Sequence, residues 1–139
     1  MEKKTAFPLP AFLIASALVL ALGACVKTND PNATCTNRVE SQVLKVEGAD
    51  SGLVNQDVTL KVTYVILSSC GKYGGIYPAA PTQTTNVHIF ADYVGCVCTQ
   101  VAFQTTHDYK FNSPNAGTFT LSFWSGDNNI ISKKIVITP

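Results

Sequence analysis

The sequence predicts an all-β fold, an antiparallel sandwich of about seven short strands. Three observations carry this. Beyond its first two dozen residues the chain is rich in Thr, Val, Asn and Ser and poor in strong helix formers. Several runs alternate apolar and polar residues with period two, the pattern of a half-buried strand. Clusters of Gly, Pro, Asn, Asp and Ser separate those runs at the spacing of a sandwich. With 46% hydrophobic and 14% charged residues, the chain has the apolar material for a core and is not a disordered polymer.

The N-terminal segment stands apart from this pattern. Lys3 and Lys4 give a positive start, and Ala11 to Leu22 is an unbroken run of twelve apolar or small residues. That is the layout of a cleaved, helical secretory signal. The run is short of the roughly 20 residues that a membrane-spanning helix needs, and Pro8 and Pro10 oppose its extension. Leu22-Gly23-Ala24-Cys25 then resembles, residue for residue, the lipobox of bacterial lipoproteins. The resemblance implies cleavage before Cys25 and acylation of its sulfur and new amine. Two or three acyl chains, at about 0.8 kcal/mol per buried methylene, hold a protein in a membrane where one chain is marginal. Val26 follows, whereas inner-membrane lipoproteins often carry Asp there, so the resemblance favours the outer membrane of the cell envelope.

The expected organisation is a signal segment over 1–24, the lipidated Cys25 with a flexible tether over 25–37, and a sandwich domain over 38–139. The tether is polar and holds Pro31 among Asn and Asp residues. Asn32-Ala33-Thr34 matches the glycosylation pattern, which in a bacterial export context is a chance match.

Within the domain a first strand is expected from Arg38 to Glu47, with imperfect alternation. Asp57 to Leu67 is clearer, with Val58, Leu60, Val62, Tyr64 and Ile66 on one face. Ser68 to Thr85 holds Gly71, Gly74, Gly75, Pro78 and Pro81 and reads as too broken for regular structure. Asn86 to Tyr93 resumes the alternation, and Gly95 suggests a turn or bulge before a strand from Cys96 to Phe103. Three strands close the chain: Tyr109 to Asn112, Thr118 to Trp124 and Ile130 to Thr138, with Lys133 as a charge on an otherwise apolar face. The passage Tyr109 to Leu121, an aromatic strand, a Pro/Gly corner and a Gly-Thr-aromatic strand, resembles the penultimate-strand region of immunoglobulin-like sandwiches. A small jelly roll or open barrel is the runner-up.

Removing Lys3, Lys4 and Glu2 from totals of 10 basic and 9 acidic residues leaves 8 of each, a neutral chain without a basic run. Nucleic acid is therefore excluded as a partner class. Setting Cys25 aside leaves Cys35, Cys70, Cys96 and Cys98, an even set in an exported domain, and disulfides are the default reading. Cys96 and Cys98 on one strand face are badly placed to pair with each other, so one is expected to join Cys70 and the other Cys35. The alternative is a metal or thiol-redox site using Cys70, Cys96, Cys98 and either His88 or His107. Against it stand the Cys-x-Cys spacing, the oxidising compartment and the lack of Cys-x-x-Cys at a helix start.

No nucleophile elbow, paired carboxylates, phosphate loop or dinucleotide fingerprint is present, so neither catalysis nor a cofactor is expected. His88 reads as a solvent-facing strand residue, and His107-Asp108 as turn chemistry at a strand start. The 70–81 stretch, with Tyr73, Ile76 and Tyr77, is the candidate surface for a protein or glycan ligand, since loops on rigid sandwiches carry recognition. The expected function is a lipid-anchored, non-catalytic binding or envelope-assembly module.

Overall fold

The computed structural model describes residues 34–77 and 82–139. The expected signal segment, Cys25, residues 26–33 of the tether and residues 78–81 lie outside the described residues. Nine strands form the described part: β1 (Thr36–Glu40), β2 (Val43–Gly48), β3 (Ser51–Leu53), β4 (Val58–Ile66), β5 (Gly71–Tyr77), β6 (Thr84–Val94), β7 (Phe103–Phe111), β8 (Gly117–Trp124) and β9 (Ile130–Thr138). The domain is all-β and its strands make two sheets.

The smaller sheet is β2-β4-β7, antiparallel throughout. The larger sheet is built on β6. The amide of Gly95 donates to the Cys35 carbonyl and that of Thr120 to the Gln83 carbonyl, whereas the amide of Val94 donates to the Cys70 carbonyl. Odd-numbered positions around β6 therefore face β1 and β8, and even-numbered ones face β5. β1 and β8 share one edge of β6 end to end, and β5 takes the other. β9 then pairs antiparallel with β8, and β3 parallel with β9.

The pairing of β8 with β6 is also parallel, which corrects the purely antiparallel expectation. The cause is the route of the chain. After β6 it leaves for β7 in the smaller sheet and then returns, and two reversals bring β8 back in the direction of β6.

The core follows from the alternation. Val58, Leu60, Val62, Tyr64 and Ile66 of β4 are all buried, opposite Val87, Ile89 and Ala91 of β6 and Phe119, Leu121 and Phe123 of β8. Aromatic edges lock the filling: Phe111 meets Phe119 at 5.2 Å and Tyr109 meets Phe123 at 6.4 Å between ring centres. Lys133 shares a face with buried Ile135 and Ile137, yet its stem lies along the sheet and its ammonium reaches the Gly48 carbonyl and the Asp50 carboxylate.

Five further expectations are corrected. The single strand at 38–47 is two strands in different sheets: the Ser41 amide donates to the Ile89 carbonyl of the larger sheet, while the next residue, Gln42, accepts from the Val65 amide of the smaller one. β1 also begins at Thr36, inside the segment expected as tether. The stretch after Ser68 is not irregular, because Gly71 to Tyr77 forms β5, with a register shift between Tyr73 and Gly75 where Gly75 adopts φ +137°. Cys96 to Ala102 forms no strand, and β7 runs unbroken from Phe103 to Phe111, which puts His107 and Asp108 in mid-strand and not in a turn.

Candidate functional site

β5 does not carry its three candidate residues on one surface. Tyr73 and Ile76 lie opposite Ala91 and Ile89, the inward register of β6, whereas Tyr77 lies opposite His88, the outward register. The Tyr73 ring stacks on the His107 ring of β7 at 3.6 Å, closing the gap between the two sheets along that side. Partial burial pushes the Tyr73 phenol above its ordinary pKa. Ile76 packs against the core. Tyr77 is half exposed, with the edge of Phe90 at 6.0 Å.

The outward register of β6 assembles a different surface, which sequence reasoning missed. Arg38 of β1 grips Asp92 of β6 with both ends of its guanidinium, at 2.6 Å and 2.9 Å. The hydrogen bond and charge of Arg38 hold the Asp92 carboxyl below the usual carboxylate range. Two positions along β1, Glu40 lies opposite Phe90 and reaches diagonally to His88, its Oε1 2.7 Å from His88 Nδ1. Beyond β1, where β8 takes over the edge, Trp124 and Ile130 flank a shallow cleft of about 170 Å³ with Asn86, His88 and Ser122. That is below the roughly 300–1,000 Å³ of a pocket that encloses a ligand, so anything bound here lies across the face. Trp124 is the single tryptophan of the chain and is 38% exposed. The pairs Arg38–Asp92 and Glu40–His88 span 54 and 48 positions, so no local spacing announces them. The outward alternation His88, Phe90, Asp92 was the available signal.

All four cysteines of the domain are joined in disulfides. Cys35 bonds Cys96 and Cys70 bonds Cys98, with Cα separations of 4.9 Å and 5.6 Å. A sulfur in a disulfide offers no thiolate, so Cys70, Cys96 and Cys98 do not form a metal-ligand set with His88 or His107, whose rings meet Glu40 and Tyr73. Among the described residues no group of three or more His, Cys, Asp or Glu side chains is placed to hold a metal ion.

Fold and surface together define a disulfide-stapled, two-sheet β domain with an aromatic and polar outer face on its larger sheet. Compared with protein-family models, with curated proteins and with solved structures, the chain matches none.

Proposed function

We propose that this protein is an exported envelope lipoprotein, anchored through acyl chains on Cys25, whose immunoglobulin-like sandwich is a non-catalytic binding module. The ligand lies across the outer face of β6 and β8. The observation that carries this reading is the Trp124 cleft: an exposed indole on a rigid sheet, beside the neutral hydrogen-bonding groups of Asn86 and Ser122 and the His88–Glu40 pair. Flat aromatic surface flanked by such groups suits a glycan, whose rings carry an apolar face and a hydroxyl rim. Two disulfides agree with an oxidising compartment, and a balanced charge suits an uncharged ligand.

Because Trp124 is the only tryptophan, intrinsic fluorescence reports on the face directly. Titrating the full chain with envelope oligosaccharides is expected to shift Trp124 emission saturably, and Ser122→Ala with Asn86→Ala to abolish the shift without altering the fold. Emission indifferent to every glycan, with protein ligands captured instead, refutes the glycan assignment. For the anchor, Cys25→Ala is expected to lose both labelled acyl chains and membrane fractionation, and retention of either refutes it.

A further inference from the structure

Three segments meet at one end of the sandwich. They are Thr34 to Asn37 leading into β1, Leu67 to Gly71 between β4 and β5, and Val94 to Phe103 between β6 and β7. The Gly95 amide donates to the Cys35 carbonyl, the Ser69 amide to the Thr99 carbonyl and the Leu67 amide to the Tyr93 hydroxyl oxygen. Both disulfides lie within this pole. None of the three segments contains Asp, Glu, Lys or Arg, and from Tyr93 to His107 the chain carries no residue of those four types.

The pole is also where apolar side chains stand in solvent. Of the twelve large hydrophobic residues exposed among the described ones, five are here: Leu67, Val94, Val97, Val101 and Phe103. Val97 is 95% exposed. It sits between two disulfide-bonded cysteines, so a bare valine is held out on a covalently fixed loop. One register step behind, Arg38 and Lys72 flank Asp92, which Arg38 already pairs, so this ring keeps a net single positive charge at the depth where headgroup phosphates would begin. A solvent-facing pole gains nothing from this arrangement, whereas an interfacial one does.

The chain itself says which surface comes close. Cys35 lies in the pole, ten positions along the chain from Cys25, a reach of at most about 36 Å when fully extended. An acylated Cys25 therefore holds this end of the domain near the bilayer at high effective concentration. We infer that the disulfide-bound pole, with Val97 and Val101 at its tip, is a second membrane contact that seats in the lipid interface. It fixes the domain's orientation and turns the outer face of β6 and β8 sideways along the membrane. The inference rests on the Cys25 anchor proposed above.

The test uses full-length protein purified from membranes and reconstituted in phosphatidylethanolamine/phosphatidylglycerol vesicles, with Trp124→Phe and Val97→Trp combined so that the sole indole reports on the tip. Lipids brominated near the headgroup are expected to quench the tip indole about twofold or more, while Trp124 of the parent protein stays unquenched. Val101→Trp in the same background gives the same readout should the first variant misfold. Quenching no greater than that of Trp124 overturns the inference. Intact mass of the same samples separates the two claims. Acylated protein with an unquenched tip refutes the pole and leaves the anchor, and unacylated protein with a quenched tip does the reverse.

Discussion

Removing the disulfides in pairs tests whether they are the main restraint on this small domain. Cys70–Cys98 spans 28 positions, and cross-linking a loop of that length lowers unfolded-chain entropy by an amount equivalent to about 3.6 kcal/mol at 25 °C. Cys35–Cys96 spans 61 positions, but the two bridges interleave. With Cys70–Cys98 intact, the path from Cys35 to Cys70 and back from Cys98 to Cys96 is only about 37 residues, so the second bridge adds about 3.8 kcal/mol. Together they amount to about 7 kcal/mol, comparable with the entire 5–15 kcal/mol stability of a typical domain. The assay is urea unfolding of Cys70→Ala/Cys98→Ala, of Cys35→Ala/Cys96→Ala and of the quadruple variant. Each pair is expected to lower the midpoint by roughly 1–4 M, and the quadruple variant to be largely unfolded without urea. Midpoints within about 0.5 M of the parent for both pairs would refute the reasoning, because the unfolded chain would then already be as restricted without the bridges.

Other outcomes follow from single contacts. Phe123, fully buried against Tyr109, is expected to lose about 3–5 kcal/mol on Phe123→Ala, read from chemical denaturation. Gly71→Ala places a methyl 2.2 Å from Ile66 Cγ2 and 2.7 Å from Tyr93 Cε1, and is expected to cost about 1–3 kcal/mol by overpacking and to lower the melting temperature. The Asp92 carboxyl titrates lower in the folded chain than its ordinary value near 3.8, so the Arg38 pair stabilises above that value and the contribution is lost as pH falls through the folded value. The melting temperatures of the parent and of Asp92→Asn are accordingly expected to differ at neutral pH and converge in acid below about 3.8. Without reductant none of Cys35, Cys70, Cys96 and Cys98 is expected to take up an alkylating reagent, and all four are expected to do so after reduction and unfolding, as counted by mass.

The strands that were legible are those whose pairing partner leaves one face wet. β4, β8 and β9 alternate cleanly because one side packs on the core and the other meets solvent. β5 was hidden by its glycines: Gly71 is there because Ile66 and Tyr93 leave no room for a side chain, and Gly75 because of the register shift. β1 and β2 fused into one apparent strand because the change of sheet needs no turn residue, only a division of hydrogen bonds between Ser41 and Gln42. β3 has three residues and is held by a parallel neighbour more than eighty positions away, which no local pattern encodes. The even cysteine set was legible; the exclusion of a Cys96–Cys98 bond agrees with the pairing found, although the strand face it was argued from does not form. The Tyr73–His107 stack and the Arg38–Asp92 pair join strands distant in sequence, so they emerged only with the topology.

The position of the Cys35–Cys96 bond has a mechanical consequence. Any pull transmitted along the chain from before Thr34 enters the domain at Cys35, one residue ahead of β1. Without the bond, that load would act on the outermost hydrogen bonds of the β1–β6 ladder and peel them one by one. With it, force passes through the sulfurs to Cys96, and from the neighbouring Cys98 to Cys70 at the entrance to β5, so covalent links carry it before any ladder does. The domain is thereby clamped at its loaded end, and unzipping from that end must wait for a reductant.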